Sequence, residues 1–223
     1  MRFSAIELSR VLAFVDLNEL NPYGSISFAR IVPKIVEKLE FSSFPKTFEE
    51  LDESKGIKFE EGAWSGIPIQ QMTVYNNGFL LDTRNGTDVS LQVLHEVFDW
   101  GVAEFGLAVP QDALQRVRYL SRFTFYSGAV AKVGGLPVRR LAETLSKSIA
   151  DITGKKRPYE IIRIDVDFDR LEEKAPIAPF TIQHRITTPF EDEKFYTEAP
   201  LPTDLHIALV EQLEADILST ESA

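Results

Sequence analysis

The sequence predicts an α+β fold: a largely antiparallel sheet from two βαββα halves, with the helices mostly on one face. Three observations carry this. Strand-like and helix-like apolar patterns follow one another as strand, helix, hairpin, helix up to Leu107, and in the same order again from Val117. Asn77-Gly78 supplies hairpin chemistry, which makes its flanking strands antiparallel. The connector Ala108 to Leu114 is short, which favours a single domain over 1–223, with pseudo-repeated halves 1–107 and 115–223, rather than two separate βα sandwiches. Only the order of elements repeats; no residue-level repeat accompanies it.

In chain order, Val11 to Leu17 is a nearly continuous apolar run of the kind that forms a buried strand. Asn21-Pro22-Tyr23-Gly24 turns the chain. From Ser27, the residues Phe28, Ile31, Ile35 and Leu39 keep helical spacing; Pro33 either kinks that helix or marks a start near Val32. Phe41 to Gly56 reads as loop with one helical turn at Thr47 to Asp52, and Phe59 to Trp64 as a short extra strand. A type I′ turn at Asn77-Gly78 pairs Asn76 with Phe79, Tyr75 with Leu80 and Val74 with Leu81. Met72, Val74 and Leu81 then share one face and Thr73, Tyr75 and Leu80 the other. Both faces carry large apolar groups, which places the hairpin inside a sheet. Thr87 or Asp88 caps a helix bearing Leu91, Leu94, Phe98 and Phe105, and Gly106 ends it.

In the second half, Val117 to Tyr126 alternates as a strand with Phe123 and Phe125 inward. Gly128 to Gly135 connects it to a helix opened by Pro137, bearing Val138, Leu141, Leu145, Ile149 and Ile152, and ended by Gly154. Tyr159 to Asp169 and Phe180 to Ile186 read as strands joined by a turn over Glu172 to Pro179. Pro189 to Pro202 reads as irregular. Thr203 or Asp204 caps a last helix with Leu205, Leu209, Leu213 and Ile217 on one side, and Ser219 to Ala223 frays.

Composition narrows the chemistry. The absence of cysteine removes disulfides, thiolate catalysis and cysteine metal sites together. No apolar run approaches the roughly 18 residues of a membrane span, and the first residues lack a signal peptide's apolar core, so a cytoplasmic location is expected. A formal charge of −10 argues against attraction to nucleic acid or to anionic membranes. The excess acid gathers at Glu49, Glu50, Asp52, Glu53, Glu60 and Glu61, a pattern more typical of a solvated loop than of a DNA mimic.

Arg116-Val117-Arg118-Tyr119-Leu120, then Ile164-Asp165-Val166-Asp167, then the helix containing His206 fall in an order that resembles a sporadically distributed bacterial family of uncharacterised proteins. The resemblance covers three short stretches. It implies a bacterial or mobile-element origin and supplies no catalytic residues.

Asp165, Asp167 and Asp169 are the sharpest chemical feature, since period-two spacing on a strand points three carboxylates to one face. Such groups hold Mg²⁺ or Mn²⁺ in phosphoryl-transfer sites. Nucleotidyltransferases join them to an upstream Gly-Gly, but here Gly134-Gly135 lies too far from Asp165. The plainer reading is a solvated face, with Arg163 among the acids and Arg118 and Arg122 on a neighbouring strand. His95, His184 and His206 are dispersed: His184 reads as a core or interface residue and His206 as a surface residue of the last helix. Gly62-Ala63-Trp64-Ser65-Gly66 misses the G-x-S-x-G order of a nucleophile elbow, and no phosphate-binding glycine motif occurs. Trp64, Trp100, Tyr75 and Tyr119 could line a pocket, although aromatics at these spacings are usually core. The expected function is therefore a non-enzymatic, cytoplasmic macromolecule-binding module of bacterial or phage origin, needing no cofactor, whose partner is another protein. The alternative is a metal-dependent enzyme acting on a nucleotide or phosphoester, with Mg²⁺ or Mn²⁺ held by Asp165, Asp167 and Asp169.

Overall fold

The computed structural model describes residues 1–24, 27–110, 112–113, 115–133, 135–169 and 177–221, with backbone alone at 135–137 and 221. The elements are β1 (Arg2–Ala13), α1 (Leu17–Leu20), α2 (Phe28–Leu39), β2 (Ile57–Trp64), β3 (Ile67–Tyr75), β4 (Gly78–Thr83) and α3 (Thr87–Phe105), then β5 (Val117–Tyr126), α4 (Gly135–Thr153), β6 (Arg163–Val166), β7 (Phe180–His184), β8 (Lys194–Ala199) and α5 (Thr203–Glu221). The strands form one antiparallel sheet in the order β2-β3-β4-β1-β5-β8-β7-β6. The fold class is α+β. Each run of elements has three consecutive strands rather than the two of a βαββα pattern: the extra strand is β2 in the first run, where Phe59 to Trp64 reads as one, and β8 in the second, in the stretch Pro189 to Pro202 that reads as irregular. Its alternation is short but real: Phe195, Thr197 and Ala199 are buried and Lys194, Tyr196 and Glu198 are less so.

By proximity the chain divides into two compact units, one of Ile6–Ser121 with Pro200–Thr203, the other of Met1–Ala5, Arg122–Ala199 and Asp204–Ala223. The first has the larger core. Val11 and Ala13 of β1, Ile57 and Phe59 of β2, Met72 and Val74 of β3 and Leu81 of β4 meet Val32, Ile35 and Leu39 of α2 and Val93, Leu94 and Phe98 of α3. β1 covers Arg2–Ala13, so the apolar run at Val11 to Leu17 is not one strand: Asp16 accepts a hydrogen bond from the Asn18 amide at 2.7 Å and starts α1 at Leu17. Pro33 sits inside α2 without ending it. α3 begins at Thr87 with Gly86 as its N-cap, so neither Thr87 nor Asp88 caps it.

The central hairpin keeps its predicted faces and changes its predicted partners. Met72 pairs with Leu81, Val74 with Phe79 and Tyr75 with Gly78, which leaves Asn76 and Asn77 as the loop. The slip is two residues, and a two-residue slip returns every side chain to the same face. β3 and β4 are interior strands, as their two apolar faces require. No positive φ occurs at Asn77 or Gly78, so the type I′ assignment is wrong. Gly78 is needed for a different reason: a Cβ there would stand 2.5 Å from the Ala13 carbonyl oxygen. The two-residue turn with positive φ at both positions is Ser65-Gly66, at 49° and 82°, between Trp64 and Ile67.

The second unit packs Phe123 and Phe125 of β5, Ile182 of β7, Phe195 of β8 and Val210 of α5. The inward stripe of α5 is His206, Val210, Leu213 and Ile217, while Leu205 and Leu209, expected on the packed side, are exposed. Both sets satisfy helical spacing, and the sequence alone does not choose between them. β7 ends at His184 and β6 is only Arg163–Val166, much shorter than the strand read over Tyr159 to Asp169. Most of the turn read over Glu172 to Pro179 lies outside the described residues, as do Gly134 and the fraying end at Ser222 and Ala223.

Candidate functional site

Only Asp165 of the three aspartates lies within β6; Asp167 and Asp169 follow its last residue, Val166. Asp165 pairs across the ladder with Thr181 of β7. Arg163 donates from Nε to both carboxylate oxygens, at 2.9 and 2.7 Å, and the Thr181 hydroxyl donates at 2.6 Å. These contacts, Arg163 first and Thr181 second, hold the Asp165 carboxyl below the usual aspartate range. Asp167 accepts from the Phe168 amide at 3.0 Å. Among the described residues no three His, Cys, Asp or Glu side chains stand close enough to hold a metal ion. Of the expected arginine neighbours, Arg122 pairs with Glu198 of β8, which lies opposite Thr181 in the same row across the sheet, while Arg118 lies over the Phe14 ring at 5.5 Å.

His95 is exposed and 3.4 Å from Asp99. His184 is buried against Phe190 and Phe195, in keeping with a core residue. His206 is fully buried, contrary to its reading as a surface residue. Its Nε2 is 2.8 Å from the Thr197 hydroxyl, and its ring packs on Phe123 and Phe180. Burial pushes its pKa down to about 4, so the ring is neutral at pH 7. Four of the six acids between Glu49 and Glu61 have local partners: Glu50 closes a capping box with Thr47, Asp52 accepts from Ser54, Glu60 pairs with Lys58 and Glu61 accepts from Ser42. Trp64 donates its indole N–H to Glu96 at 2.6 Å and packs on Trp100.

The outstanding surface is on α4, in the second unit. Its backbone forms the predicted amphipathic helix, ending at Gly154. Val138, Leu141, Leu145 and Ile152 recur at spacings of three, four and seven residues and therefore share one face. They are 41%, 67%, 41% and 80% exposed. Ile149, the fifth residue of the predicted stripe, is partly covered, as are Arg139, Ala142, Ser146 and Ala150 on the adjoining face. No α4 side chain belongs to either hydrophobic core among the described residues. The periodicity identified the stripe; whether it faces a core or solvent is a tertiary outcome that periodicity does not encode. No family model and no curated protein sequence matches the chain. No described helix is long and apolar enough to cross a membrane.

Proposed function

We propose that this protein works as a protein-binding module, with the apolar stripe of α4 as its contact surface. The observation that supports this is four large apolar side chains at seam spacing on a 19-residue helix, 41–80% exposed and outside both cores among the described residues. An isolated helix of this length is marginal in water, and most helical stability comes from covering an apolar face. At ~25 cal/mol per Å² of apolar surface, covering such a stripe is worth several kcal/mol. A seam of this spacing fits an apolar helix or groove of another protein by knobs-into-holes packing. A lipid surface fits less well. Interfacial helices concentrate Lys and Arg on the polar face, whereas here Arg140 and Lys147 alternate with Glu143 and Asp151, in a chain of charge −10.

A photocrosslinking residue at position 145, in the organism that carries this protein, tests the reading. A discrete protein adduct is expected from position 145 and not from the exposed position 84, and Leu141→Asp should abolish it. Adducts indistinguishable from those at position 84 would remove the stripe as a binding surface.

A further inference from the structure

The first unit has a half-open cavity of about 400 Å³ between its helices and sheet that the core does not fill. Its floor is Met72 and Val74 of β3. One wall is Ile31 and Ile35 of α2, and the other is Val97, Trp100 and Phe105 of α3. Several of these side chains, Ile31, Val97, Trp100 and Phe105 among them, are only half-buried where they line it. A concave apolar space of this size lies within the roughly 300–1,000 Å³ range of small-molecule pockets.

The polar part of the lining is Asn18 and Asn21 at α1, Ser27 and Glu53. A pair of backbone bonds sets α1 beside the Glu53 segment: the Leu17 amide donates to the Asn76 carbonyl at 2.9 Å, and the Asn76 amide to the Glu53 carbonyl at 3.1 Å. Among the described lining residues, Glu53 alone carries a charge. A ligand for this space therefore has an apolar body, and at its polar end a group that donates hydrogen bonds or carries positive charge. A carboxylate or phosphate would meet Glu53 with like charge.

We propose that this cavity is a binding site for a cationic amphiphile, an alkyl or aryl amine. At roughly 30 Å³ per small group, it holds on the order of a dozen non-hydrogen atoms. The site is separate from the α4 surface and does not depend on that reading.

The test uses the purified full chain with the neutral fluorescent probe N-phenyl-1-naphthylamine. Saturable enhancement is expected, and decylamine should displace the probe at a concentration at least tenfold lower than decanoate does. Ile31→Trp, which fills the cavity, should abolish the enhancement while helix content and melting temperature are retained. Leu145→Asp should leave it unchanged, which separates this cavity from the α4 stripe. Glu53→Lys should reverse the order of the two competitors, and this variant decides the matter if Ile31→Trp does not fold. Absence of saturable enhancement, or its persistence in a folded Ile31→Trp protein, overturns the site. Equal displacement by the two competitors, or an order unchanged in Glu53→Lys, overturns the ligand class.

Discussion

Thr87 and Thr203, 116 residues apart, cap each other: the Thr87 amide donates to the Thr203 hydroxyl at 3.1 Å, and the Thr203 amide to the Thr87 hydroxyl at 2.8 Å. Each is the first residue of its helix, so each hydroxyl satisfies an amide that the other helix leaves without an internal partner. Ser9 joins them through a hydroxyl 3.2 Å from that of Thr203, and all three residues are buried.

Thr203→Val keeps the shape and deletes the acceptor, stranding the buried Thr87 amide. Urea denaturation should show a loss of about 1–3 kcal/mol, and Thr203→Ser should recover most of it. A Thr203→Val midpoint equal to that of the parent protein would mean the exchange contributes nothing to stability.

Gly66 and Gly78 are needed for opposite reasons, and the same substitution separates them. Gly66 has open space around its missing Cβ and a φ of 82°, a region Asn also tolerates. Gly78 has an ordinary φ but no room, because of the Ala13 carbonyl. Gly66→Asn should cost less than about 1 kcal/mol, while Gly78→Asn should cost about 1–3 kcal/mol or more by forcing β1 and β4 apart. Equal losses in chemical denaturation would refute the distinction.

These residues also mark where the sequence was legible. Period-two alternation gave the faces of Met72, Val74 and Leu81 correctly, because face depends only on parity. Register depended on which glycine was a turn glycine, and Gly78 looked like one when its constraint was a carbonyl from β1, about 65 residues earlier in the chain. The same limit applies at Val138, Leu141, Leu145 and Ile152, where periodicity finds an apolar stripe but not what covers it. Asp165, Asp167 and Asp169 were grouped by spacing on a strand that ends at Val166. The cavity under Trp100 is a matter of how well facing side chains fill space, which no local pattern records.

Millimolar Mg²⁺ or Mn²⁺ should leave the melting temperature unchanged in the parent protein and in Asp165→Asn alike. Asp165 already spends both oxygens on Arg163 and accepts from Thr181, and a cation that keeps most of its waters gains little from one exposed carboxylate. A metal-dependent rise in melting temperature that Asp165→Asn abolishes would restore the phosphoester enzyme reading.

His206 makes acid stability a readout of the second unit's core. In the unfolded chain its pKa is the ordinary 6.5, and in the fold it is about 4 because the buried imidazole is costly to charge. Between these two values the unfolded state binds a proton that the folded state does not, so this group's effect on stability is absent above pH 6.5. The loss grows as pH falls and levels off below about 4. A depression of that size corresponds to a loss of about 3 kcal/mol, to order of magnitude. His206→Gln removes the ionisation and leaves every other titrating group common to both proteins, so the difference between the two stability curves isolates the histidine. That difference should be constant above pH 7 and shift in favour of the variant by about 3 kcal/mol by pH 4, whatever the variant's own stability at neutral pH. Parallel curves from pH 7 to pH 4 would show that His206 takes up its proton as readily in the fold as out of it, and so is not sealed from water.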